Sequence, residues 1–359
     1  MTMEQDHWQG PLFIVGLPRS GTKLLRTLLN HHPAIQLPVI ETAFLPVWMA
    51  EWQGYGNLSD YGRFQGFYKR TLRLAYFQYQ KDRGHLIECR HWYEHCEDFS
   101  IAGVFEALIR HDADADATAN PAANPAAGAR LQVRENPQSP QHLGSNWRIW
   151  GDKTPSYVRH MSRLAAIYPQ ARFIHIIRDV RDYCLSIENA WGKNKPRAAQ
   201  RWVDSIRAAR QSGEALGERY REIRYEALLT DPAGTIRSLC EFLGVDYHPS
   251  MLVLSKPAEA LGAASGQAAI VAGNHGKYRM AMTARDLRAI EAIAGPLLHD
   301  LGYTVDTPVP AKRLSPLRMR VLQLLDGFNF LLAAMRQHRP QLALSIWFGA
   351  VTGLFRLRR

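Results

Sequence analysis

The chain has only four cysteines in 359 residues, Cys89, Cys96, Cys184 and Cys240, and no two of them are spaced as Cys-x-x-Cys. Such spacing gives no disulfide framework and fits a reducing compartment. A secretion signal is also missing: "MTMEQDHWQG" has no basic stretch ahead of an apolar one, and "LFIVGL" is too short for a signal core. A cytoplasmic location is therefore expected. No internal repeat is visible. Acids are scarce at one end, where Lys312 to Arg359 holds nine Lys or Arg and a single acid, Asp326. The net charge of +11 thus reduces to +3 over the other 311 residues, which removes charge as an argument for a nucleic-acid partner. With 46% hydrophobic residues, the chain has ample material for a buried core of one large domain or two.

What is present begins with "LFIVGLPRSGTKLLRTLLNHHP", Leu12 to Pro33. Leu12 to Val15 are apolar without alternation, the pattern of a strand covered on both faces. Leu24, Leu25, Leu28 and Leu29 then recur at helical spacing. Gly16 and Gly21 stand between, where the backbone must curl and approach a ligand closely. A helix starting at about Ser20 would aim unpaired N–H groups and its positive dipole end into that turn, so an oxyanion is its natural occupant. A nucleotide loop would continue Gly-Lys-Ser/Thr, whereas Thr22-Lys23 stand in reverse order and Arg19 adds a cation inside the loop.

Further along, the aromatic-rich stretch Trp48 to Gln80 reads mainly as helical core, with some rings left for an acceptor pocket. Residues 111–146, rich in Ala, Pro and Asn, read as a mobile insertion. Beyond it come a short strand into Gly151, a helix from about Ser156, a strand Phe173 to Ile177, a strand ending near Tyr225, and a helix Pro232 to Leu243 stopped by Gly244. Alternation of strand and helix predicts an α/β fold with a parallel sheet and crossover helices.

With the glycine loop, "GDKTP", "IIRDVRDYCLSI" and "IRYEALLTDP" in this order, the sequence resembles the sulfotransferases that use 3′-phosphoadenosine 5′-phosphosulfate, in the branch with tyrosylprotein and many bacterial sulfotransferases. The resemblance covers about Pro11 to Gly244, with an echo at "GNHGKYR". It implies a P-loop-like parallel β-sheet flanked by helices over residues 1–311, followed by a basic helical tail over 312–359. It implies that donor as co-substrate, a hydroxyl-bearing acceptor, and no metal. Arg19, Ser20, Gly21, Thr22 and Lys23 match the loop for the 5′-phosphosulfate, Lys23 replacing the family's second threonine. Arg178 and Ser186, eight apart, match the pair that holds the 3′-phosphate. Lys277 and Arg279 match a late loop that closes over the adenosine side and are candidates for 3′-phosphate contacts, and Tyr225 matches a position near adenine. Glu41, before Thr42, matches the catalytic glutamate, with one more residue after His32-Pro33 than is usual. Lys153 matches the lysine that donates to the leaving oxygen, and Arg19 would share that charge.

Rival readings concern other chemistry. A P-loop kinase is disfavoured by the transposed Thr22-Lys23 and by the Arg178/Ser186 pair. A polyanion- or membrane-binding module with a degenerate nucleotide fold would rest on the tail. Cys89, His91, His95 and Cys96 crowd together as metal ligands do, but Cys96 turns off the helical face shared by His91 and His95. His32, His175 and His275 read as loop or strand-end residues. In the tail, Val321, Leu325, Phe328, Leu332 and Met335 form an amphipathic stripe, followed by the uncharged "QLALSIWFGAVTGLF" and "RLRR". That run is short for a spanning helix. Packing against the enzyme domain or a partner subunit and peripheral contact with the inner membrane face use the same residues, packing being the preferred reading.

Overall fold

A computed structural model describes residues 8–119, 148–258, 264–307 and 310–336, without the side chains of 117–119 and 330–336. The apolar run at the start forms β1 (Leu12–Gly16), buried throughout. It lies inside a parallel sheet with β2 (Gly151–Lys153), β3 (Arg172–Ile177) and β4 (Tyr220–Arg224), in the order β2-β1-β3-β4. Side chains alternate across the sheet, so one strand feeds two cores. Phe13, Val15 and Phe173 join Trp48, Phe64, Phe67, Phe77, Trp92 and Phe105 on one side. Leu12, Ile14, Ile174 and Ile176 join Leu24, Leu25, Leu28 and Leu29 on the other. Most rings of the aromatic stretch are therefore core, as their helical spacing suggests.

The helix Pro232–Leu243 follows its sequence signals closely. Asp231 accepts from the Gly234 N–H at 2.9 Å at its start, and Gly244 takes the left-handed conformation at its end. Three expected boundaries differ. The helix expected from Ser156 is a tight turn, Pro155–Arg159, followed by the helix Met161–Ile167. β4 stops at Arg224, and Tyr225 opens the short helix Tyr225–Thr230. The helix Ile101–Ala119 runs nine residues into the expected insertion. Its alanines favour helix, and Asp116 faces inward, accepting from Val39 N–H at 2.7 Å and pairing with Arg83 at 2.8 Å. Residues 120–146 of the expected insertion lie outside the described residues.

The chain divides into two compact units. The first comprises residues 1–177, 208–260 and 265–271, and holds the sheet. The second comprises residues 178–207, 261–264 and 272–359, so the basic tail groups with the segment after β3. Within this second unit, Arg181 is buried among carboxylates, pairing with Asp179 at 2.8 Å and Glu291 at 2.7 Å while stacking on the Tyr278 ring at 4.1 Å. Glu291 also accepts from the backbone of Asp306 and Thr307, which ties the helix Ala284–Asp300 to the chain beyond it. The last described helix is Pro316–Arg336. Its anchoring side is polar: Asp326 is buried and accepts from Arg197 at 2.6 Å and from the Asn194 N–H at 2.7 Å. Val321, Leu325 and Phe328 of the amphipathic stripe are exposed. The side chains of Leu332 and Met335, and all of "QLALSIWFGAVTGLF", lie outside the described residues.

Candidate active site

β1 ends at Gly16, and the chain turns through residues 17–21 into the helix Thr22–Leu29. Gly21 has φ +89, and a Cβ there would lie 2.2 Å from the Tyr225 ring. Only glycine fits both constraints. Arg19 holds φ +72 without being glycine, a strained conformation of the kind that ligand loops retain. Ser20 and Thr22 are buried and Lys23 is exposed. The helix has no side-chain cap and no acid in its first turn, so its N–H groups and dipole address the loop unopposed by side-chain charge. Tyr225 is 2% exposed behind Gly21. Its ring packs against this loop, beneath the glycine that leaves room for it.

Next to β1, β2 pairs Ile14 with Lys153, so Lys153 sits at the carboxyl end of the sheet beside the loop. Its ammonium donates to Glu41 Oε1 at 2.5 Å. The pair is asymmetric: the Lys153 side chain is 1% exposed and that of Glu41 40%. Burial pushes the Lys153 pKa below the ordinary lysine range, with Glu41 opposing the shift. Immediately adjacent residues form a second contact between the same segments. The Thr42 hydroxyl donates to Asp152 at 3.0 Å and lies 2.6 Å from the Tyr157 hydroxyl, which accepts from the Leu45 N–H at 3.1 Å. Sequence reasoning missed Thr42, Asp152 and Tyr157. Their signal was adjacency, since each lies within four residues of Glu41 or Lys153.

Asp152 is fully buried, and burial raises its pKa from 3.8 to about 6, against hydrogen bonds from Thr154 and Thr42 and the charge of Lys153. The folded state therefore holds this proton where the unfolded chain has lost it. The associated stabilisation is present below pH 3.8 and lost as pH rises through about 6. Two pKa units correspond to about 3 kcal/mol. Asp152→Asn keeps an acceptor for Thr42 without the titration. The variant should gain about 2 kcal/mol on the wild type between pH 4.5 and 7.5 by urea unfolding. An equal difference at both pH values would show that Asp152 does not titrate in that window.

In the second unit, Arg178 directly follows the last residue of β3 and is nearly buried. Its guanidinium donates to the Asn274 carbonyl at 3.2 Å, and its own carbonyl accepts from Trp202 Nε1 at 2.9 Å. Ser186 lies about two turns along the helix Val180–Trp191, half-buried. Asp182 on this helix accepts from the Gly276 N–H at 2.5 Å and the Tyr278 N–H at 3.0 Å, which fixes "GNHGKYR" against it. That loop brings Lys277 near Arg178: burial and the Arg178 charge both lower the Lys277 pKa. Two cations held close enough to repel are the makings of an anion site. Arg279 is exposed and stacks on Tyr278 at 4.8 Å, so Lys277 is the member of the pair drawn towards Arg178.

Two of the histidines have structural partners. His32 bonds the Asp246 carbonyl at 2.8 Å, and His175 lies 2.7 Å from the Tyr220 hydroxyl. At the Cys/His cluster, burial pushes the Cys96 thiol up to about 12, and His91 and His95 stack at 4.0 Å. Among the described residues no group of three or more His, Cys, Asp or Glu is placed to hold a metal ion.

Comparison with known proteins bears on this geometry. A profile described as the sulfotransferase family matches residues 11–249. Two curated relatives are an omega-hydroxy-beta-dihydromenaquinone-9 sulfotransferase, Stf3, from Mycobacterium bovis and from Mycobacterium tuberculosis. Each is 26% identical over 182 residues, covering 46% of this chain and 43% of the relative. The chain thus matches less than half the length of those relatives. Among solved structures, the sulfotransferase domain of the Synechococcus PCC 7002 olefin synthase is 22% identical, with 84% of this chain and 98% of that one covered at a TM-score of 0.47.

Proposed function

The chain belongs to the sulfotransferase family, and from that premise we propose that it moves a sulfuryl group from 3′-phosphoadenosine 5′-phosphosulfate to a hydroxyl acceptor, with Glu41 as base. The observation that carries this is the Glu41 and Lys153 pair, fixed beside a capless helix N-terminus by the Thr42 to Asp152 contact. The residues fit such a donor. The loop glycine that Tyr225 keeps free of a Cβ lets backbone amides approach phosphosulfate oxygens. Ser20 and Thr22 offer hydroxyls there, and Lys23, exposed on the first turn, offers charge instead of a hydroxyl. Arg178 and Lys277, with Ser186, are assigned the 3′-phosphate, and Arg279 an outer contact.

In the proposed reaction the donor supplies an activated sulfuryl group. Glu41 takes the acceptor's hydroxyl proton as the acceptor oxygen bonds to sulfur and the bond to the bridging phosphate oxygen breaks. Lys153 and Arg19 offset the charge that grows on that bridging oxygen. The sulfate ester and 3′,5′-bisphosphoadenosine leave. The curated relatives are named for an omega-hydroxylated compound, so a terminal hydroxyl is the first acceptor class to assay.

Thermal-shift titration tests the donor: 3′,5′-bisphosphoadenosine should stabilise the protein, and ATP with Mg²⁺ should do so much less. The opposite ranking would favour a nucleotide kinase. Arg178→Ala should weaken bisphosphoadenosine binding by about 10- to 150-fold, the scale of a charged hydrogen bond. Turnover at saturating donor should change far less, because a 3′-phosphate contact is made equally in ground and transition states. Unchanged affinity would remove Arg178 from the site.

A further inference from the structure

Among the described residues, the helix Pro316–Arg336 carries a marked exposed apolar surface. Leu317, Val321, Leu324, Leu325 and Phe328 are 48–73% exposed. At 100° per residue they fall within an arc of about 100°, a continuous apolar stripe. Arg318 and Arg320, both exposed, fall on its two flanks. Asp326 falls on the opposite side, buried against Arg197 and the Asn194 N–H. The only acid between Lys312 and Arg359 is therefore turned inward and neutralised, and among the described side chains the outward side of this helix presents no acid.

We propose that this outward stripe docks on an anionic lipid bilayer. Charge selects this occupant over two others. The same stripe on a second copy offers Arg318 and Arg320 no acid, so that contact leaves them unpaired. The chain's own residues 337–359 contain Arg339, Arg356, Arg358 and Arg359 and no acid, so their sequence likewise offers these arginines no partner. An anionic bilayer accepts the stripe at its acyl boundary and the arginines among its headgroups. Among the described residues no helix is long and apolar enough to cross a membrane, and the contact proposed is one lying in the surface.

The test is sedimentation of the full chain with vesicles of equimolar phosphatidylglycerol and phosphatidylcholine, beside vesicles of phosphatidylcholine alone. Wild-type protein should pellet with the anionic vesicles at low salt and be largely released at high salt. Leu324→Glu with Phe328→Glu places charge on the stripe, at exposed positions that do not support the fold, and should cut the bound fraction's partition coefficient by roughly tenfold or more. Arg318→Gln with Arg320→Gln should weaken binding to the anionic vesicles by a similar factor while leaving any binding to neutral vesicles unchanged. Unfolding temperatures equal to wild type confirm that the variants are folded. Wild-type protein that stays in the supernatant at low salt overturns the proposal, as does equal pelleting of the stripe variant. Concentration-dependent dimers abolished by the stripe substitutions, without vesicle binding, would assign the stripe to a second copy. Binding to polyglutamate without vesicle binding would assign it to an acidic protein. Either result also overturns the lipid assignment.

Discussion

Glu41→Gln is expected to lower turnover by roughly 10²–10⁴-fold while leaving bisphosphoadenosine affinity within a few-fold of wild type. The substitution isolates the proposed base because glutamine keeps the shape and an acceptor oxygen for the Lys153 ammonium. The Thr42 to Asp152 and Tyr157 contacts next to it are untouched, so the segment stays in place. Glu41 is also the member of the pair that faces outward, 40% exposed against 1%, where an acceptor hydroxyl would arrive. A second readout comes from its electrostatic partner. Glu41 opposes the burial that lowers the Lys153 pKa. Removing that negative charge should lower it further, so residual activity should fail at lower pH on the alkaline side. Turnover within a few-fold of wild type would reduce Glu41 to a counter-ion of Lys153.

Sequence pattern foresaw the elements whose local signals and tertiary environment agree. β1, the helix Thr22–Leu29 and the helix Pro232–Leu243 are of that kind: an unbroken apolar run buried on both faces, a leucine periodicity against one core, and an Asp start with a Gly stop. It failed where composition mimics disorder. The alternation of Ala and Asp after His111 resembles a linker, yet Asp116 is buried because Arg83 and the Val39 N–H lie in reach, contacts more than 30 residues away in sequence. Tyr225 shows a related limit. Its place in the motif does not reveal that its ring packs against Gly21, which depends on the packing of the helix it opens.

The tail shows the opposite failure. Its four-three spacing correctly signals a helix, but periodicity does not say which face the protein covers. Asp326, buried against Arg197 and the Asn194 N–H, marks the covered side, and much of the apolar stripe faces out. In the candidate site, motif order put Glu41 and Lys153 on one list from segments more than 100 residues apart. Their contact at 2.5 Å depends on the parallel pairing of β1 with β2, and the brace through Thr42 and Tyr157 has no spacing of its own to read.

Lys153→Ala is expected to lower turnover by roughly 10²–10³-fold, the scale of losing one preorganised donor to developing charge. Donor affinity should fall less than turnover, because the bridging oxygen carries its greatest charge only in the transition state. The fold should tolerate the change. Deleting one partner of a buried pair is damaging when it strands the other charge away from water. Here the surviving partner is Glu41, which is 40% exposed and can hydrate. The unfolding temperature should therefore shift little, which separates lost chemistry from lost structure. The pH profile adds a signature that a purely structural lysine lacks. An ammonium that must be protonated to act loses activity as pH rises through its pKa, and burial places that loss below the ordinary lysine range. The alkaline limb should be present in wild type and absent from the residual activity of Lys153→Ala, and a small primary alkylammonium added to the variant should restore part of the rate. Wild-type turnover in the variant, or an unchanged alkaline limb, would assign the leaving-oxygen role to Arg19 and leave Lys153 as the counter-ion that orients Glu41.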